Sequence, residues 1–358
     1  MSVLYEKLLR PALFRLSPET AHEFGIEALR RGIGSKLART LAARRFAVGE
    51  SFGGIERFGL KFKNPLGVAA GFDKNGVVVE QLAVLGFGFV EVGTVTLNPQ
   101  KGNDKPRLFR LPADGALVNR LGFNNDGTRR VVERLKRIRP DCVVGVNIGK
   151  NKDVPNDAAI ENYLKSFELA APVADYVAVN VSSPNTPNLR ELQKADSLEE
   201  LLGALQRRNR ELYGKPLLVK IAPDLTDAEI EAIAGIAADL DLAGIIATNT
   251  TVSRAGLKTP IDEAGGLSGK PLRARSTEVI EKIFRFSRGE IPIVGVGGIF
   301  SAADAFEKIA AGACLVEAYT GFVYGGLAFA RELNRGLARL LAERGFKTLD
   351  EAVGSAVS

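Results

Sequence analysis

Amides and hydroxyls cluster where an apolar run ends: Tyr176-Val177-Ala178-Val179 leads into Asn180-Val181-Ser182-Ser183-Pro184-Asn185-Thr186. Each asparagine side chain carries a donor pair and an acceptor, so Asn180 and Asn185 can grip the imide or carboxylate edges of a flat polar ligand. Ser, Pro and Asn are also ordinary turn residues, and the segment alone reads equally well as a capped strand-to-loop turn. The ends of the other apolar runs decide between the two. One closes in Ala69-Ala70-Gly71-Phe72-Asp73-Lys74, where small residues allow close backbone approach and Lys74 adds a cation. Others place Thr94, Asn147, Lys220, Thr248-Asn249-Thr250, Gly295-Val296-Gly297-Gly298 and Tyr319-Thr320-Gly321 at their ends. Lysine is almost never fully buried unless paired, so Lys220 reads as a ligand-binding cation in preference to one that snorkels at the rim. Glycine-rich chain suits an anion, because backbone N–H groups point at phosphate. Gly297-Gly298, the loop Gly265-Gly266-Leu267-Ser268-Gly269 and Tyr319-Thr320 therefore suggest a phosphorylated ligand. Gly295-Val296-Gly297-Gly298 lacks the third glycine of a dinucleotide fingerprint. A sugar phosphate or flavin mononucleotide (FMN) remains, and the amides do not choose between them.

The elements that must position these residues alternate regularly. Short Val/Ile/Ala-rich runs at 65–71, 89–96, 143–149, 176–183, 216–222, 243–250, 291–298 and 313–321 read as strands. Amphipathic stretches near 74–85, 126–138, 157–173, 197–212, 227–239, 272–287, 301–311 and 326–344 read as helices. Such alternation implies parallel pairing. Eight units imply a closed α/β barrel, (β/α)8, whose active site sits at the C-terminal rim of the strands; an open doubly wound sheet is the rival. An insertion at 106–119, with Asp114-Gly115 as its turn, reads as a hairpin over that rim.

Composition and charge narrow the class. With 46% hydrophobic and 25% charged residues among 358, the chain has an ordinary globular balance. No apolar run reaches the length that crosses a bilayer, and Lys7, Arg10 and Arg15 interrupt any signal-peptide core. Cys142 and Cys314 read as reduced, buried small residues of a cytosolic protein. One histidine and no cysteine cluster leave no metal site to expect. Residues 1–45 hold nine lysines and arginines against four glutamates, so this segment carries five of the six net positive charges. Its apolar residues are spaced helically: Leu4, Leu8, Leu9, Ala12, Leu13 and Leu16, then Phe24, Ala28 and Leu29 in a helix begun by Ser17-Pro18-Glu19. Two basic amphipathic helices can be a solubilised cap or can lie on an anionic membrane surface, and the charge asymmetry favours the membrane. Nucleic acid is not an expected partner, since the basic residues are not interleaved with aromatics.

Taken together, Ala70-Gly71-Phe72-Asp73-Lys74, Gly102-Asn103-Asp104-Lys105-Pro106-Arg107, Asn119-Arg120-Leu121-Gly122-Phe123-Asn124-Asn125, Asn147-Ile148-Gly149-Lys150-Asn151-Lys152, the Asn180–Thr186 segment, Lys220-Ile221-Ala222-Pro223-Asp224 and Gly297-Gly298-Ile299 resemble the dihydroorotate dehydrogenases. The helical extension resembles the quinone-dependent, membrane-associated class of that family. The resemblance implies an FMN-containing barrel that oxidises dihydroorotate to orotate in pyrimidine synthesis. By position, Ser183 resembles the base that takes the C5 proton while the C6 hydride passes to the flavin. Soluble relatives carry cysteine there, and serine favours the membrane class. Lys74, Asn119, Arg120, Leu121, Gly122, Phe123, Asn180, Asn185, Asn249 and Thr250 resemble the orotate-binding set. Ala70, Gly71, Phe72, Asp73, Lys74, Thr94, Asn147, Asn180, Lys220, Thr248, Gly269, Gly298, Tyr319 and Thr320 resemble the flavin contacts.

His22, the only histidine, would by itself be an ordinary surface or core residue of a helix. The resemblance puts it, with Arg107 and Tyr319, along a quinone channel walled by Phe14, Phe24 and nearby leucines. The implied organisation is an amphipathic, quinone- and membrane-associated segment at 1–45 and an FMN-binding barrel at 46–358. A monomer attached peripherally to the cytoplasmic face of the cell membrane is expected.

Overall fold

Apolar runs too short for helices and bounded by glycine or proline form strands, and all eight of the predicted runs do so. In the computed structural model, which describes residues 5–357, they are β1 (Leu66–Val68), β2 (Phe89–Val95), β3 (Val143–Ile148), β4 (Tyr176–Asn180), β5 (Leu217–Ile221), β6 (Gly244–Ala247), β7 (Ile293–Val296) and β8 (Leu315–Ala318). Neighbours pair in parallel, and β8 returns to β1 in the register Val316↔Leu66, so the sheet is a closed (β/α)8 barrel and not the open rival. Every residue of these strands is buried. That explains the continuous apolar runs, since one face packs inside the barrel and the other lies under helices. Several strands stop short of the predicted ends: β1 at Val68, β4 at Asn180 and β7 at Val296. Chain beyond those points leaves the regular ladder, although the Ala69 N–H still donates to the Ala318 carbonyl and the Gly71 N–H to the Gly93 carbonyl.

Two of the intervening helices begin at a capping box. Thr226 and Glu229 form a capping box on Asp227–Asp239, and Ser301 and Asp304 form one on Ala302–Ala310. In the first, Ile230, Ile233, Ala234 and Ala237 make the buried stripe. The 106–119 insertion is a hairpin, Leu108–Leu111 against Ala116–Asn119, turned through Pro112–Asp114. Gly265–Gly269 departs from the expected glycine loop: Gly266–Gly269 is a third strand paired with Ala116–Asn119. Leu111, Ala116, Val118 and Leu267 give this small sheet a core of its own.

The expected N-terminal helices are present, and a third accompanies them. A π-helical turn, Tyr5–Leu9, runs into α1 (Arg10–Leu13); α2 (Pro18–Gly32) and α3 (Lys36–Phe46) follow. The first four positions of the 1–45 segment, Leu4 among them, and Ser358 lie outside the described residues. Ser17 caps α2 by accepting from the Thr20 N–H, and Ser35 caps α3 by accepting from Ala38 N–H. Leu8, Leu9, Leu16, Phe24, Leu37 and Leu41 remain exposed along these elements. No helix among the described residues is long and apolar enough to cross a membrane.

One interior contact leaves no slack. Gly145 of β3 lies in register with Tyr176 of β4, and a Cβ at Gly145 would sit 2.1 Å from the Tyr176 Cζ atom. The ring is fully enclosed and its hydroxyl donates to Glu91 Oε2 at 3.3 Å, so it cannot retreat cheaply. Gly145→Ala is therefore expected to cost about 1–3 kcal/mol by overpacking. Urea denaturation monitored by circular dichroism measures it, and an unchanged midpoint would contradict the close fit.

Candidate active site

The ends of all the barrel strands except β3, together with the hairpin sheet, converge on one polar cavity. Ala70, Gly71 and Lys74 reach it from β1 and Thr94 from β2. Asn119, Leu121, Gly122 and Phe123 come from the hairpin exit, and Asn180, Ser183 and Asn185 from β4. Lys220, the Thr248-Asn249-Thr250 run, Gly269, Gly298, Tyr319 and Thr320 complete the lining. Four residues of the expected sets stand off it. Asn147 lies behind Thr94. The Asp73 carboxylate accepts from the N–H groups of Asn75, Val77 and Val78 and braces the loop after β1. Arg120 reaches away to Glu263 and to the Pro106 carbonyl. Phe72 faces a second, apolar cavity.

Side chains lock one another across the polar cavity. Asn147 Oδ1 accepts from Thr94 Oγ1 at 2.6 Å and from Asn180 Nδ2 at 3.3 Å. Asn180 Oδ1 accepts from the Ser182 N–H at 3.1 Å, Ser182 Oγ at 3.0 Å and Asn249 Nδ2 at 3.3 Å. Asn185 Nδ2 donates to Asn119 Oδ1 at 3.2 Å, tying the β4 loop to the hairpin. Ser183 is buried, and its Oγ accepts from the Asn185 N–H at 3.2 Å. Burial pushes the Lys74 ammonium down to about 8, with Glu19 opposing and Arg107 assisting; it is still mostly charged at neutral pH.

Beneath the cavity lies a charge cluster that the sequence reading missed. Lys220 Nζ contacts Glu91 Oε1 at 2.9 Å and Glu317 Oε2 at 3.5 Å, with both carboxylates fully buried. Burial works to lower the lysine's pKa, but the two carboxylates overcome it and hold it above the ordinary value. Burial and the neighbouring Glu91 push the Glu317 carboxyl up to about 8, against the pull of Lys220. Its Oε1 is buried without a hydrogen-bond partner in a residue that lines the cavity. The available signal was a glutamate inside each of two apolar strands, Phe89-Val90-Glu91-Val92 and Leu315-Val316-Glu317-Ala318, which demands a buried cation. At the β7 end, Gly297 and Gly298 have φ of 128° and 71°. Glycine reaches this region of positive φ at no steric cost, so the chain turns sharply at the rim with its backbone bare.

The second cavity, about 490 Å³, lies between α2 and the barrel rim. Tyr5, Leu9, Leu13, Phe14, His22, Phe24 and Leu29 wall it from the N-terminal side, and Phe72, Phe322 and Val323 from the barrel. Tyr319, Leu108 and Leu117 line both cavities. His22 packs edge-on to Phe72 at 5.1 Å, and burial, reinforced by the Lys74 charge, drives its imidazole down to about 3. Arg107 is not on this wall. Its guanidinium binds Glu19 of α2 at 2.7 Å and the Lys101 and Asn103 carbonyls, each at 2.7 Å. Arg110, absent from the expected set, takes the wall position: its guanidinium lies 4.0 Å over the Phe14 ring, and its buried Nε has no partner among the described residues.

Fold and site define a (β/α)8 barrel protein with a polar cavity at the rim and an apolar one beside it that share a wall. The sequence profile described as Dihydroorotate dehydrogenase matches residues 55–341. A Roseiflexus sp. (strain RS-1) protein named dihydroorotate dehydrogenase (quinone) is 49% identical over 100% of both chains. A Christiangramia forsetii protein of the same name is 51% identical over 93% of this chain and 98% of its own. A crystal structure of the Eimeria tenella enzyme in complex with ferulenol superposes with a TM-score of 0.83 at 37% identity, covering 96% of this chain and 98% of that one. The chain belongs to the dihydroorotate dehydrogenase family.

Glu317 makes the fold pH-dependent. Folded, it keeps its proton to about 8; unfolded, only to the ordinary 4.5. The folded state therefore binds the extra proton between those values, and this group's stabilisation is full below 4.5 and lost as pH rises through about 8. Glu317→Gln, which cannot ionise, is expected to flatten that decline in thermal denaturation across the window. A slope identical to wild type would remove Glu317 as its source.

Proposed function

We propose that this chain oxidises dihydroorotate to orotate in the polar cavity and delivers the electrons to a membrane quinone through the apolar one, with flavin as the redox group between. The observation that carries this reading is the shared wall: Tyr319, Leu108 and Leu117 face both cavities, so one planar cofactor can meet a polar substrate and an apolar acceptor. The flavin is FMN in this reading, and the residues present fit it. The bare backbone of Gly297-Gly298 and the start of the helix Thr320–Gly325, both on this cavity, suit a terminal phosphate. Lys220, held as a cation by Glu91 and Glu317, suits the pyrimidine edge, and Gly71 leaves space beside the Tyr319 ring. When bound, FMN supplies the acceptor for the hydride leaving C6 of dihydroorotate.

The protein's own groups do the rest. Ser183 takes the C5 proton, in a pocket whose amides keep substrate and base aligned. Asn119, Asn180, Asn185 and Asn249 meet the pyrimidine's imide edges, and the Lys74 ammonium meets its carboxylate. His22 and Arg110 are the polar groups offered to a quinone, and Arg107 holds α2 against the rim through Glu19. Segment 1–45 is the membrane and quinone module, and 46–358 the catalytic barrel. Exposed Leu8, Leu9, Phe24, Leu37 and Leu41, beside the exposed Lys7, Arg15 and Arg44, suit an anionic bilayer surface at the cytoplasmic face. The chain acts as a monomer in this reading.

Anaerobic mixing of the yellow protein with dihydroorotate, followed by a quinone, tests both halves. Ser183→Ala is expected to keep bound flavin but bleach it at least about 10²-fold more slowly, the scale of a lost general base. Bleaching at the wild-type rate would remove Ser183 as the base. Deletion of residues 1–45 is expected to spare bleaching and abolish quinone turnover. Full turnover in the truncated protein would place quinone elsewhere.

A further inference from the structure

Arg190 lines neither cavity, yet its guanidinium joins three rim loops. Nε donates to the Ser182 carbonyl at 3.0 Å, Nη1 pairs with Asp224 Oδ2 at 2.8 Å, and Nη2 donates to the Thr250 carbonyl at 2.9 Å. Those acceptors follow β4, β5 and β6 respectively. The Ser182 carbonyl belongs to the peptide unit that carries Ser183. The Thr250 carbonyl closes the run in which Asn249 and Thr250 line the polar cavity.

Both ends of this clamp are anchored. Asp224 also accepts from Thr251 Oγ1 and from the Val252 N–H. Arg190 rides on a 3-10 turn, Leu189–Gln193, in which Leu189 and Leu192 are buried and Gln193 Oε1 accepts from the Ala222 N–H at 2.9 Å. The task calls for three divergent, coplanar donors of fixed geometry. A guanidinium has them, whereas an ammonium is a point charge on a flexible stem.

We propose that Arg190 is a positioning residue for the proton-transfer step: it fixes the peptide bearing Ser183 in register with Asn249 and Thr250 across three strand ends. Among the described residues the Ser183 hydroxyl has one partner, the local Asn185 N–H, so its placement against substrate depends on its backbone. A carbonyl freed from Arg190 lets that peptide plane rotate and carries the hydroxyl out of line. The assignment rests on the reading of Ser183 as base.

The test uses full-length, flavin-loaded protein in anaerobic stopped flow with dihydroorotate, alongside orotate titration of the flavin absorbance. Arg190→Lys and Arg190→Gln are expected to slow flavin bleaching by about 10²-fold, the scale of an ångström-sized misplacement. Orotate binding should weaken, while reoxidation of dithionite-reduced protein by quinone stays at the wild-type rate. Added guanidinium should restore part of the bleaching rate in Arg190→Ala and none in Ser183→Ala. Wild-type bleaching and orotate affinity in Arg190→Gln would overturn the proposal, as would equal slowing of both half-reactions, which marks general damage. Should Arg190→Gln fail to fold, Asp224→Asn removes one tooth of the fork and is expected to slow bleaching alone; a wild-type rate there also overturns it. Ser183→Ala bleaching at the wild-type rate would instead sink the base reading, and Arg190 would then stand or fall on orotate affinity.

Discussion

Three ionisable groups buried in the barrel's interior set the terms for everything above them. Glu91 on β2, Lys220 on β5 and Glu317 on β8 meet where a (β/α)8 barrel ordinarily stacks branched aliphatic side chains. Desolvating such ions costs on the order of several kcal/mol each, and their attraction offsets this only when geometry and further hydrogen bonds are good. Here Asn147 Nδ2 donates to Glu91 Oε1 at 3.0 Å and the Tyr176 hydroxyl to Oε2 at 3.3 Å. Glu317 keeps an unpartnered oxygen and leans toward its protonated form. The cluster is thus no stabilising device. What it provides is a lysine whose charge is guaranteed at a fixed depth below the cavity floor, where mobile solvent cannot screen it.

That fixed cation depends on register, and register depends on packing. The pairing Asn180↔Lys220 in β4 and β5 brings the cavity's amide beside the lysine, while Gly145↔Tyr176 leaves room for the ring that supports Glu91. A slip of one residue in any of these strands would turn the charge outward under the helices. Apolar burial over the rest of the barrel holds the register. The polar layer then inherits a geometry it could not impose.

Much of this was legible in the sequence, for a physical reason. Strand–helix alternation is a local pattern, and barrel topology places every strand's C-terminal end at one rim, so rim residues can be named without coordinates. Contacts between distant segments are not local. Glu91 and Glu317 are 226 positions apart and look like isolated breaks in apolar runs until Lys220 joins them. Gly266–Gly269 reads as loop because its strand partner is the distant Ala116–Asn119. Leu37 and Leu41 of α3 are both exposed, so that helix buries no stripe for periodicity to detect. Arg107 was placed on the apolar wall in the sequence reading, but strand side chains alternate. Leu108 and Arg110, two apart, face the cavity together, which leaves Arg107 to Glu19.

The two cavities need different solvents, and the wall between them must not carry the wrong charge. Dihydroorotate is an anion and suits a cavity lined by Lys74 and amides, whereas a quinone partitions with hydrocarbon. Burial pushes the Tyr319 phenol up to about 12 and the His22 imidazole down to about 3. Both therefore remain neutral throughout the physiological range, and neither draws water or counter-ions into the space between. Neutral imidazole still offers one donor and one acceptor, enough to orient a carbonyl without charging the tunnel. Arg110 on the same cavity's wall stacks on Phe14, and its delocalised charge is cheaper to desolvate than an ammonium. Polar chemistry and apolar access can then sit one aromatic ring apart, because the residues on the boundary are those whose burial holds them uncharged.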